Sequence, residues 1–362
     1  MKKFIIGKVS IHKRIIAFLI ISLLLSCETS REKFTPPSFE ESGNLKCEII
    51  QDFLLFSYPF NMVSFGNYVV ILAFAERTGT WLQVYDKQTG EHIGGYVRSG
   101  QGPGEIVVAG DLDYNKNEHT LTIFELDTQQ SFIYKINEGL EDLIKFESKK
   151  NFLSNGSNRI KNIFKVDEKH YLIDSRDVSS RNYTSKNNRR FSLVTETGDS
   201  IISVYNDYAT SKEIDYYAYI MQAMFSISPD RGKMVCTTLY GAVLETFEIN
   251  NSINLIQKKL FYPIILEPHR QGGMQPSKDT IWGFVDICTS DKYIYTVLIG
   301  NKDNNKYNNI SVFNWNGDPI SRFETDMNIL RVCYNETDNS IYAIAVTEYG
   351  EFNLVKIKPY ME

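Results

Sequence analysis

Histidine and cysteine are scarce in this chain, five of each in 362 residues, and neither falls into a metal-binding pattern. His12 lies near the N-terminus, while His92, His119, His170 and His269 are dispersed, with no H-E-x-x-H. Cysteines show no C-x-x-C spacing, so neither a zinc site nor any other metal is expected. No G-x-S-x-G elbow occurs, and scattered histidines define no Ser-His-Asp arrangement, so no catalytic residue is assigned and no cofactor is expected. Sustained 3.6-residue periodicity is nearly absent, which removes helical architectures.

Also missing is an apolar run long enough to span a bilayer. Lys2, Lys3, Lys8, Lys13 and Arg14, with no acid among them, precede the apolar stretch Ile15 to Leu25. Eleven residues suit the core of a signal peptide, whereas crossing about 30 Å of hydrocarbon takes roughly 20. The stretch ends in Leu24-Leu25-Ser26-Cys27, which resembles the bacterial lipobox, a small residue before the cysteine whose thiol accepts the lipid. Residues 1–26 are therefore expected to be a cleaved lipoprotein signal peptide, and Cys27 the acylated first residue of the mature chain. The membrane, reached through lipid on Cys27, is then the first expected partner. Each buried methylene contributes about 0.8 kcal/mol, so two or three acyl chains would hold the protein permanently to the envelope. The outer membrane is the expected location, with periplasmic and surface-facing orientations both open. Residues 27–44 are polar and contain Pro36-Pro37, and read as a flexible tether.

Loss of the five leader cations takes the formal net charge from −5 to −10. Nucleic-acid binders concentrate Lys and Arg on one face, so a nucleic-acid partner is not expected. Export permits disulfides, yet three of Cys47, Cys236, Cys288 and Cys333 sit in apolar strand-like runs and read as buried thiols.

From residue 45 onward, period-2 alternation recurs between Gly, Asn and Asp clusters, and the 22 Phe and 22 Tyr suit packing between pleated sheets. One unit of strand, acidic turn, strand, loop, strand, Asn/Asp-Gly turn, strand repeats about every 50 residues. It predicts blades at 58–98, 106–148, 160–205, 219–262, 282–324 and 329–358. The last copy lacks its fourth strand, and Leu45 to Ile50 is a spare strand that would close a ring. The expected fold is all-β: a six-bladed β-propeller over residues 45–362, closed by an N-terminal strand. A sandwich of strand pairs and two separate domains are the alternatives, but no linker-like stretch interrupts residues 45–358.

With its lipobox, its six units and the segment Arg98-Ser-Gly-Gln-Gly-Pro-Gly-Glu105, the chain resembles the TolB-like six-bladed β-propeller lipoproteins of Bacteroidota envelopes. The resemblance implies fold and location more than activity.

Candidate site residues lie on the links between blades, because loops carry function more often than strands. Arg98, Gln101 and Glu105 flank a glycine-rich link that reads either as a connector needing positive φ or as an anion nest. Tyr216 and Tyr217, in a tyrosine-rich stretch with Tyr205, Tyr208 and Tyr219, offer stacking surfaces or core packing. His269 and Arg270 sit in Pro268-His-Arg-Gln-Gly-Gly273. Asp111-Leu-Asp113-Tyr-Asn115 has the spacing that begins a calcium loop, but Lys116 and Thr122 stand where Gly and Glu are needed, so hairpin capping is the better reading. Two functions remain. One is a non-catalytic module binding an envelope protein, peptide or glycan through its loop face; the other is a hydrolase or lactonase with a metal at the central channel.

Overall fold

A strand with alternating side chains has one face to bury, and a four-stranded sheet has two, so such sheets are stable only when stacked on neighbours. The computed structural model describes residues 34–140, 142–152, 158–177, 190–197, 200–205, 223–270 and 274–359. Among these residues there is no helix, and the strands form six antiparallel blades plus a small hairpin, Leu266–Pro268 with Met274–Pro276. The blades span 61–98, 109–151, 158–205, 223–260, 282–325 and 328–357, within a few residues of the expected units. A separate apolar cluster fills each of the six seams. Between blades 3 and 4, for example, Phe191 and Phe247 meet edge to face at 5.5 Å. Cys47, Cys236, Cys288 and Cys333 are buried and unbridged, and burial pushes the Cys47 and Cys236 thiols up to about 12.

The first strand of each blade lines the axis: Asn61–Phe65, Ala109–Asn115, Asn158–Lys165, Ala223–Ile227, Trp282–Thr289 and Asn328–Asn335. Strand direction alternates outward, so every link from an outermost strand to the next innermost strand lies at one end of the ring. We call this the crossover end; turns between second and third strands lie there too. At the opposite end Arg231, from blade 4, donates to both carboxylate oxygens of Asp113 in blade 2 at 2.7 and 3.0 Å. It also donates to the carbonyls of Lys165 and Tyr114 at 2.7 and 2.6 Å. Blades 2, 3 and 4 are thus tied together there, and removing one partner of such a buried pair costs about 3–5 kcal/mol.

Closure follows the expectation, with a shift of a few residues. Strand β2 (Glu48–Gln51) pairs antiparallel with Phe352–Ile357 and supplies the fourth strand of blade 6. Strand β1 (Glu41–Leu45) was not foreseen: it runs parallel to Pro319–Thr325 and makes blade 5 five-stranded. The stretch 34–44, read as part of a tether, is bonded to the ring. Thr35 N–H donates to the Leu260 carbonyl at 3.0 Å, and the Phe39 ring packs on Phe313 at 5.5 Å. Its polar composition concealed this because four of the five β1 side chains are exposed, so the pairing is made mainly by backbone, with one side-chain bond from the Ser321 hydroxyl to the Glu41 carboxylate at 3.2 Å.

Removing residues 41–51 should lower the melting temperature by more than about 10 °C, since two blade edges lose their partners. Removing residues 28–33 should leave it unchanged. Equal melting of the two truncated proteins would contradict strand closure.

Candidate functional site

Repeat geometry places one residue of each first strand at the same level, just inside the crossover end of the channel. These are Asn61, Asp111, Asn162, Met224, Asp286 and Arg331, five polar residues and one methionine at equivalent positions of six blades. In blades 2, 3, 5 and 6 the ladder slips immediately before Asp111, Asn162, Asp286 and Arg331. A β-bulge re-aims the side chain that follows it, and bulges concentrate beside functional sites. All six residues line one cavity of about 440 Å³, whose outer wall is Tyr58 and Phe60.

The polar groups are organised around Asp111. Asn61 Nδ2 donates to its carboxylate at 2.6 Å and to the Leu112 carbonyl at 3.0 Å. Burial pushes the Asp111 carboxyl up to about 7, and the neighbouring Asp113 and Asp286 charges push the same way, against the Asn61 bond. Asn162 lies between Asp111 and Asp174, each within 3.3 Å of its amide. The amide nitrogen can donate to one carboxylate or to the other, not to both. Asp286 accepts the Val332 N–H at 2.7 Å. Burial raises its carboxyl to about 6, with Arg331 pulling the other way. Arg331 is held by the Phe60 carbonyl at 2.9 Å and the Tyr58 hydroxyl at 3.2 Å, and its guanidinium sits 5.3 Å from the Tyr58 ring centre. The mouth therefore offers two carboxyls raised by burial, two amides, one cation and two aromatic rings.

The residues singled out from sequence fall around this mouth unevenly. Arg98 and Gln101 are exposed on the link from blade 1 to blade 2, at the crossover end. Glu105 turns back on its own loop, where its carboxylate accepts the Gly102 N–H at 2.8 Å. Gly104 has φ +74°, and a Cβ there would lie 2.7 Å from Phe146, so this segment is a braced connector. His269 and Arg270 are exposed at the tip of the small hairpin on the link from blade 4 to blade 5. Tyr216, Tyr217 and Cys27 lie outside the described residues.

Asp111, Asp113 and Asn115 do not act together. Asp111 faces the mouth, Asp113 holds Arg231, and only Asn115 caps the turn, accepting the Asn117 N–H at 3.0 Å. The ring itself was missed because its members lie about 50 residues apart and form no linear motif. Its signal is a polar residue at one repeat position of otherwise apolar strands, visible only when the six units are superposed.

A family model described as TolB-like 6-blade propeller-like matches residues 38–337. A candidate exported protein of Bacteroides fragilis is similar in structure at 13% identity and a TM-score of 0.57, over 91% of this chain and 99% of that one. A Bacteroides vulgatus member of the DUF4221 family gives 9% identity and a TM-score of 0.52, over 91% and 96%. A gluconolactonase of Xanthomonas campestris gives 7% and 0.47, over 86% and 88%. At these identities the likeness is one of fold. No curated protein matches the sequence.

A carboxyl whose folded pKa is raised favours folding below its unfolded value, near 3.8, and loses that contribution as pH rises through about 7. Asp111→Asn, which mimics the protonated group, should raise the melting temperature by about 3 °C at pH 8 and by almost nothing at about pH 3.5. The same shift at both pH values would contradict the assignment of Asp111 as a buried titrating group.

Proposed function

Because the chain belongs to the TolB-like six-bladed propeller family, we propose that it is a lipid-anchored envelope module that binds rather than transforms its ligand. It takes a polar group of a protein, peptide or glycan into the channel mouth at the crossover end. The observation that carries this reading is the ring of bulge-directed polar side chains around a 440 Å³ cavity. Concave sites with a few convergent polar groups and perturbed carboxyls are where ligands bind. Arg98 and Arg270, exposed on two crossover links, extend the surface that a large ligand would meet.

The second reading is a hydrolase or lactonase with a metal held at the channel. In its favour, Asn61, Asp111, Asn162 and Asp286 bring oxygen ligands from four blades to one mouth. Against it, Arg331 shares the ring and opposes a cation, and Asn61 directs its amide nitrogen at Asp111. Among the described residues no three His, Cys, Asp or Glu side chains come together as a metal-holding set. Calcium titration separates the readings: a stabilisation that saturates and disappears in Asp111→Asn would favour the metal enzyme.

Three further outcomes test the proposal. Cys27→Ala should abolish labelling by an alkyne fatty acid, whereas equal labelling of wild type and variant would remove the anchor. Met224→Arg places a long cation in the mouth with Asp111 and Asp286, and should block crosslinking to the native partner in membranes while the protein still unfolds in one cooperative transition. Replacing Arg98, Tyr217 and Arg270 together with Ala should weaken crosslinking at a stability change within about 0.5 kcal/mol. Undiminished crosslinking in both would place the binding surface elsewhere.

A further inference from the structure

The link that closes the ring, residues 52–60, carries an apolar ledge. Phe53 is 60% exposed, Leu55 79%, Tyr58 50% and Phe60 44%. Tyr349, 81% exposed, lies in the turn before Phe352, at the same end of the ring. Their position is fixed from beneath: Leu54 is buried and donates its N–H to the Phe352 carbonyl at 2.9 Å, and Phe56 stacks on Phe352 at 5.9 Å. Phe53 is held at φ +50°, a conformation that bulky residues rarely adopt. Large contiguous apolar patches on a protein surface mark contacts with a partner or a membrane.

We propose that this ledge docks into the surface of the bilayer from which the protein hangs, so that the crossover end and its channel mouth face the membrane. The inference rests on the lipid-anchor reading of Cys27. The described chain begins at Phe34, and Thr35 is bonded to Leu260, the last residue of the outermost strand of blade 4. Leu260 pairs with Val243 beside the turn between second and third strands, which places it at the crossover end. Six residues separate Cys27 from Phe34, seven steps along the chain with a reach of roughly 25 Å at full extension. The anchor therefore draws the crossover rim of blade 4 to the membrane, and the ledge lies across the ring, at blades 6 and 1 of the same end. Two supports on opposite sides of one face lay that face against the bilayer, where a single tether would let it turn freely. Phe, Leu and Tyr suit the interfacial zone. Asp52, Glu348 and Glu351 border the ledge, so docking is apolar and independent of anionic lipid. The ligand of the mouth is then one presented at the bilayer surface.

The test uses full-length lipoprotein reconstituted in phosphatidylcholine vesicles containing brominated lipid, with Leu55→Trp and Tyr349→Trp reporting from the ledge. Asn117→Trp, in the exposed turn at the opposite end, is the control. Ledge emission should shift to the blue and fall several-fold on bromination, unchanged by salt, while the control stays as in unbrominated vesicles. Ledge and control emission quenched alike, in protein whose Cys27 carries lipid, would overturn docking and leave the anchor standing. Absence of lipid on Cys27 would overturn both. Ledge protection from quencher only when a second protein or a second copy is crosslinked there would assign the ledge to that partner and overturn the bilayer as its occupant.

Discussion

A blade that ends in a row of unpaired N–H and C=O groups is an invitation to any passing strand, and the last blade of this chain runs out after three strands. Everything else in the ring depends on how that edge is satisfied. β2 satisfies it from the other end of the chain, so the first and last segments of the fold are hydrogen-bonded neighbours. The seam this creates is filled by buried apolar side chains, as the others are. Leu54, Met62, Tyr342, Ile344 and Leu354 fill it, and buried Lys87 donates to Asn335 at 3.1 Å across it. Burial alone would raise the nearby Asp338 carboxyl, but Tyr342, Lys356 and Lys87 together hold it below the usual range.

Closure also builds the surface on which the functional reading rests. The link out of β2 must travel from the outer edge of blade 6 to the axis of blade 1, and in doing so it carries Tyr58 and Phe60 to the mouth and Phe53 and Leu55 to the rim. Arg331 fastens that link by its bonds to Phe60 and Tyr58. The far end of the channel is tied by Arg231, whereas the carboxyls raised by burial, Asp111 and Asp286, lie at the crossover end.

Six blades, their limits and the closing strand were legible because each depends on local alternation and turn chemistry, which the sequence states residue by residue. Strand β1 was not, since backbone pairing along an exposed edge leaves no apolar signature in Glu41-Ser-Gly-Asn. The site was legible only in part. Arg98 and Arg270 stand out by composition and are exposed at the crossover end, whereas Asp111 and Asp286 are turned to the mouth by bulges that no composition reveals. Glu105 shows the converse: a charged residue beside three glycines looked like a ligand contact and is a brace for its own turn.

The account turns on the channel mouth being where the ligand enters. Met224, the one apolar member of the ring, accepts a photo-crosslinking phenylalanine analogue without disturbing the polar network, and Asn117 offers the same chemistry at the opposite end. Illumination of living cells should give a discrete crosslinked species from position 224 and none from position 117. A species from position 117 alone would contradict the account.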